Sequence, residues 1–477
     1  VPEGAPVRWY FAGHGSGTGV GMGQWGALGD AVRFHWSYRR LLAHFYGGTT
    51  AARLGAVGLP GRLWLSVIVL QNLDLADEKG FDPVLSASVP LRIEDGGTPP
   101  VVPRAAASPE SADGLAGGAL PGRAVTTGSA AARRSVVVPA GAAVDLRMQR
   151  NGTWDAYLGP TCAAALSAGR HHAAPLVRDL LDPLAVPLGA TAPPGATPAR
   201  APAAGAGWPT GAGAGGNAGG EVRVCLHGGG NLTVTGAVQA LDHDGNERTL
   251  GLVPLESYVA AVTGAEMPAA WAGLGAPGLA GRPAGFQALA AQAVAVRSFA
   301  VASGLTGGWN GYATTCDTII CQVYAGESAT APADVAAAAL TAGQVRVAGG
   351  RRVVVTTYSA SSGGWTAPGP FPAVPDLGDR CFAPGEPAAC NPLHTWRTSV
   401  VTASLSASLG GLGTLRRLAA VRRDGDGAFG GRVLQVTVVG SAGSRTLSGD
   451  AFAIAAGLPS AWFARIRAPS PVPSGTA

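Results

Sequence analysis

Residues 284–304, "AGFQALAAQAVAVRSFAVASG", constrain the fold more tightly than any other stretch. Phe286, Leu289, Ala293, Val296 and Ala300 recur at helical spacing, which predicts a helix whose apolar stripe lies in a core. A core helix needs partners, and the surrounding runs supply mostly strands. "EVRVCL", "NLTVTGAVQAL" and "ERTLGLV" read as a meander with turns at "GGGN" and "DHDGN". Pro254 then opens a helix that carries Leu255, Val259 and Val262 as far as Gly264. "GQVRVAG" with "RRVVVTTYSAS" reads as a strand pair, and "RVLQVTVVGSAGSRTLSG" as a closing hairpin. Near the start, Ser37 caps a short helix with Leu41, Leu42 and Phe45 on one face. Helices and strands mix without a regular βαβ alternation, so the expected class is α+β.

Between Leu63 and about Leu158 the pattern is that of strands, a small β-rich module. The loop from Gly96 to Ala132 and the Ala/Gly/Pro tract from Ala163 to Gly220 are poor in aromatics and predict irregular or mobile chain. Gly 73 and Pro 36 together exceed a fifth of the 477 residues, in keeping with long connections.

The formal charge of +5 suits an anionic partner such as a bacterial wall, but no basic run concentrates it, so nucleic-acid binding gains no support. Lys79 is the only lysine. No window reaches the eighteen or so unbroken apolar residues of a membrane span, and the first residue is Val1, consistent with a removed leader or with a fragment. Six cysteines fall into two local pairs, Cys316 with Cys321 and Cys381 with Cys390, plus Cys162 and Cys225. In an exported protein these read as three disulfides, in a reducing compartment as scattered thiols; spacing alone leaves both open.

Two local sequences carry chemistry. "GHGSGTGVGMGQWGA", from Gly13 to Ala27, contains a register matching the dinucleotide fingerprint, yet the next strand-like run, Leu63 to Leu70, is too distant for a strand–helix–strand unit, which argues against a nucleotide. "TGAEMPAAW" places Glu266 after a helix-ending glycine and beside Met267, Pro268 and Trp271. Partial desolvation there raises a carboxyl pKa, as a general acid requires. The plain alternative is a surface glutamate that caps or pairs.

"LVPLESYVAAVTGAEMP", "ALAAQAVAVRSFA", "CDTIICQVYAGE", "TTYSASSGGWT" and "GTGVGMGQWGA" together resemble the stage II sporulation protein D / amidase-enhancer (SpoIID/LytB) family of bacterial cell-wall proteins. The closing "LSGDAFAIAAGLPSAWF" is similar to secreted actinobacterial members. The resemblance implies a SpoIID-like catalytic domain with an inserted small β-rich module and long Ala/Gly/Pro-rich loops. The implied order is a Gly-rich segment at 1–56 packing on the core, the module at 57–160, a linker at 161–220, the core at 221–400 and a C-terminal β extension at 401–470.

It also implies a secreted, wall-located lytic transglycosylase that needs no cofactor and acts on peptidoglycan glycan strands, with Glu266 as acid/base. The family's enhancer branch implies the alternative, a non-catalytic wall-binding module that stimulates an amidase. Substrate contacts are expected from Gln24, Trp25, Gln292, Arg297, Tyr358, Ser361, Ser362, Thr366 and His394, although Gln292 and Arg297 are five apart and one helix face cannot present both. Glu256 and Asp317 are the candidates for a second carboxylate, with helix-end and loop-bracing roles as the competing readings. Against the family pattern, Thr18 and Ile320 stand where histidines are usual and Ala290 where a lysine is usual, so a Cys316–Cys321 disulfide is expected in place of a zinc site.

Overall fold

The computed structural model describes residues 7–74, 79–96, 134–159, 161–162, 174–188, 221–277, 281–327, 330–382 and 389–466. Five helices build the part that matters most for the site: α1 (Gln24–Phe34), α2 (Tyr38–Phe45), α3 (Leu255–Glu266), α4 (Phe286–Leu305) and α5 (Pro332–Leu340). The other four all pack on α4. Seventeen of its 20 residues are buried, so the expected stripe is instead a helix enclosed on every side. By length and composition it is the one helix among the described residues able to cross a membrane, but 83% of that window is buried inside the fold. It is the core helix. Ser37 caps α2 as expected, its hydroxyl accepting from the Arg40 N–H.

Two sheets lie beside the helices. One has seven strands in the order Thr315–Cys316, Trp64–Ile68, Asn246–Pro254, Ala237–His243, Leu184–Pro187, Leu91–Glu94 and Ser135–Val138. The other has six: Val177–Leu180, Trp154–Gly159, Ala143–Met148, Val84–Ala87, Glu221–Cys225 and Asn231–Thr235. Alternation sets their faces; Val222 and Val224 point inward while Arg223 between them is exposed. Inward residues of both sheets, Leu85, Leu146, Trp154, Val224, Val67, Ile93 and Val238 among them, share one hydrophobic cluster with the helices.

The module expected at 57–160 is therefore not self-contained. Trp64–Ile68 pairs with Asn246–Pro254, and Val84–Ala87 with Glu221–Cys225. Pairing with the meander satisfies backbone groups that a separate module would leave on open edges. The linker expected at 161–220 likewise contributes Val177–Leu180 and Leu184–Pro187. Most of the loop expected over Gly96–Ala132, and the rest of that linker, lies outside the described residues.

The C-terminal part is more than an extension. Trp9, Phe11, Leu405, Val436, Val438, Phe452 and Phe463 form a second core, under a sheet of Leu415–Arg423, Val433–Gly440 and Ser444–Ser448 that includes the expected hairpin. Arg8–His14 ties it to the rest, paired on one side with Thr395–Val401 and on the other with Phe463–Ile466. The mixture of helices with almost wholly antiparallel sheets is α+β. All six cysteines are paired, Cys162–Cys225, Cys316–Cys321 and Cys381–Cys390.

Candidate active site

Glu266 is the last residue of α3, because the helix runs through Gly264 rather than stopping there. That glycine serves packing: a Cβ on it would lie 2.4 Å from an Asp334 carboxylate oxygen of α5. Met267 leaves in an extended conformation and buries its side chain, so Glu266 is held at the point where helix turns to loop.

The carboxylate is half-buried, with three donors on it. Oε1 accepts from the Val323 N–H at 2.9 Å, Oε2 from Gln24 Nε2 at 3.4 Å, and the Tyr358 hydroxyl also hydrogen-bonds it. Burial raises the Glu266 pKa above the ordinary glutamate range, and the three hydrogen bonds only partly reverse the shift. Its place at a helix C-terminus, the negative end of the dipole, acts in the same direction as burial. Tyr358 is oriented from behind: its oxygen accepts from Gln322 Nε2 at 2.8 Å, and Gln322 Oε1 accepts from the buried Tyr258 hydroxyl at 3.2 Å. Its own proton is thereby left for Glu266.

Gln24 and Tyr358 meet through a short parallel pairing of Met22–Gly23 with Tyr358–Ser359. The opening glycines make this approach feasible. Gly21 has φ 78°, and a Cβ there would stand 2.1 Å from the Thr357 carbonyl oxygen. One residue past Gln24, the half-buried Trp25 ring sits 4.9 Å from Trp271, five residues past Glu266, and stacks on Phe382 at 6.3 Å, forming an aromatic wall.

The remaining expected contacts are spent elsewhere. Ser361, Ser362 and Thr366 are buried. Ser361 Oγ donates to Asp379, Ser362 Oγ to Asp376 at 2.7 Å, and Thr366 Oγ1 accepts from the Val374 N–H at 2.8 Å, so these hydroxyls brace loops rather than face a sugar. Gln292 is fully buried within α4, and its amide has no hydrogen-bond partner. Arg297 is buried too; Nε donates to Glu256 at 3.0 Å and the guanidinium to the carbonyls of Ala293, Ala338 and Gln344. Both members of the α4 pair are thus interior. His394 lies away from the acid, its Nδ1 2.8 Å from Asp379.

Neither candidate second carboxylate is available. Glu256, at the start of α3, is ten residues and ~15 Å of helix from Glu266 and pairs with Arg297. Asp317 is buried and accepts from the Leu70 N–H and the Gln71 amide, bracing the cysteine loop. Sequence reasoning missed Tyr258, Gln322, Phe382 and the Val323 N–H. Gln322 and Val323 directly follow Cys321 in a stretch already notable for its cysteines, but nothing local marks them as facing Glu266. A mostly apolar cleft of about 830 Å³ lies elsewhere, on the C-terminal unit, lined by Trp9, Val401, Leu415 and Arg465.

Residues 243–347 match the family model SpoIID, Stage II sporulation protein. The match contains Glu266, Tyr258, Gln322 and Val323; Gln24 and Tyr358 lie on either side of it. No curated protein and no solved structure matches the chain.

Proposed function

For a chain that carries a SpoIID domain over residues 243–347, we propose a lytic transglycosylase of peptidoglycan that opens MurNAc–GlcNAc bonds to 1,6-anhydro ends with Glu266 as its single acid/base. The observation that carries the reading is a half-buried carboxyl whose proton is favoured by burial and whose direction is fixed by Val323, Gln24 and Tyr358. Protonated Glu266 gives its proton to the glycosidic oxygen as the C1–O bond breaks. The C6 hydroxyl oxygen of the same muramyl residue then bonds to C1, and its proton passes to the carboxylate. The acid is regenerated and no water is consumed. A hydrolase would need a second carboxylate ~5 to 9.5 Å away, and both candidates are engaged. The Trp25–Trp271–Phe382 wall offers apolar ring surface to a sugar face. Three disulfides suit an exported, wall-located protein.

Incubating the parent and Glu266→Gln proteins with purified glycan strands, intact and stripped of stem peptides, tests this by mass spectrometry of anhydro-muramyl products. The substitution should lower product formation by ~10² to 10⁴-fold. Absence of product from the parent on both substrates would sink the transglycosylase.

One observation favours a second reading, a wall-binding enhancer of an amidase. With Arg297, Ser361, Ser362 and Thr366 turned inward, the aromatic wall alone could hold a glycan without cutting it. Pull-down on insoluble peptidoglycan by both proteins, with no products from either, is the result that reading expects.

A further inference from the structure

A second cleft, of about 540 Å³, opens where four pieces of chain meet: the opening strand, the end of α1, the stretch from Gly363 to His394 and the C-terminal unit. His14 and His394 form its floor, with ring centroids 5.8 Å apart, and the exposed side chains of Arg33 and Arg380 stand at its rim. Of the two acids nearby, Asp379 is already committed. Asp379 is saturated by Ser361, the Ser362 N–H and His394, while Asp376 accepts from Ser362 through one oxygen, and burial pushes its carboxyl well above the ordinary aspartate range. Among the described residues neither Arg33 nor Arg380 forms an ion pair, Arg33 lying 5.1 Å over the Phe34 ring at the same rim. His14 Nδ1 is buried without a partner, and burial first, then its neighbours His394 and Arg380, lower the pKa of the ring below the ordinary histidine value. The cleft is electropositive and has a hydrogen-bonding imidazole left unused.

One connection ties it to the aromatic wall. Phe382, on that wall, is two residues beyond Arg380, ~7 Å of extended chain. A polymer lying on the Trp25–Phe382 wall passes Arg380 and, with it, the mouth of the cleft.

We propose that this cleft is a subsite for a carboxylate borne by the polymer whose glycosidic bond Glu266 cleaves, with Arg33 and Arg380 pairing with the anion above the two histidines. The inference rests on the glycan-cleaving reading and narrows its substrate to strands with free carboxylates. A planar two-oxygen anion matches the guanidinium forks at the rim.

Binding, not turnover, provides the test. Stripped glycan strands with free carboxylates, and the same strands methyl-esterified, are titrated by calorimetry into the Glu266→Gln protein, and into Glu266→Gln carrying Arg33→Gln and Arg380→Gln. Both arginines are exposed, so the triple variant should melt with its parent. Esterification should weaken binding about tenfold in the first protein and have little effect in the second. Inorganic phosphate is added as a competitor: relief of free-carboxylate binding by phosphate without relief of esterified-strand binding supports the site. Equal binding of the two strands, no binding of either, or a dependence that survives both substitutions overturns it. Anhydro products formed by the parent equally from both strands would leave the transglycosylase standing while removing the subsite.

Discussion

Glu266 is set by what touches it rather than by a charged neighbour. The hydrogen bonds from Gln24 and Tyr358 favour the carboxylate form and oppose the shift caused by burial. Removing either should raise the pKa further. For an enzyme that needs the proton on Glu266 at the start of turnover, kcat/KM falls as pH rises through that pKa. Tyr358→Phe is therefore expected to move the alkaline limb of the pH–rate profile to higher pH and to lower the maximum, since the acid is no longer aimed; Gln24→Ala should move the limb the same way. An unmoved limb in both would show that neither bond reaches the reacting proton. At this scale much was legible in the sequence. Glu266, Gln24, Trp25 and Tyr358 do converge. What the sequence hid was burial: Arg297 finds Glu256 41 positions away, and Ser361 is consumed by Asp379, partnerships that no local pattern encodes.

α1 shows how an element can be tuned by a seam of acids. It packs against the turn Leu377–Asp379, where Gly26 and Gly29 bring the backbones close, and Asp30, Asp376 and Asp379 gather. Burial pushes Asp30 up to about 7, helped by Asp379 and opposed by a hydrogen bond from Gly378 and by Arg40. A carboxyl whose folded pKa exceeds its unfolded value binds more protons in the native state. Stability is full below the ordinary value of 3.8 and declines as pH climbs toward about 7. Asp30→Asn should accordingly melt above the parent at pH 8, by on the order of 3 kcal/mol, and match it near pH 3. Denaturant titrations at the two pH values check the sign. The sequence showed α2, α3 and α4 plainly through their periodicity. It did not show α1, whose glycines read as loop because the close approach they permit involves residues some 350 positions away.

In the whole molecule the strands of the expected module are shared out between two sheets, a result of long-range pairing that local alternation cannot encode. Disulfides act at the same scale. Cys162–Cys225 closes a separation of 63 residues and Cys381–Cys390 one of 9. By loop entropy the first should contribute ~4 kcal/mol and the second ~2.5. Their functional weight should run the other way. The shorter loop begins between Arg380 and Phe382 and ends beside Asn391, which donates to Ser361. Replacing both cysteines of each pair by serine, then comparing denaturation midpoints with product formation per folded molecule, should give the larger stability loss for Cys162–Cys225 and the larger activity loss for Cys381–Cys390.

The strand Arg8–His14, held between Thr395–Val401 and Phe463–Ile466, sets an order of events. A chain emerging from its N-terminus can form α3, α4 and α5 while Arg8–His14 still waits for both neighbours, and closing so long a loop is slow. Gln24 lies ten residues beyond that strand, so its hydrogen bond to Glu266 is expected among the last to form, which pulse-labelled refolding would check. On that order the acid is built before it is armed.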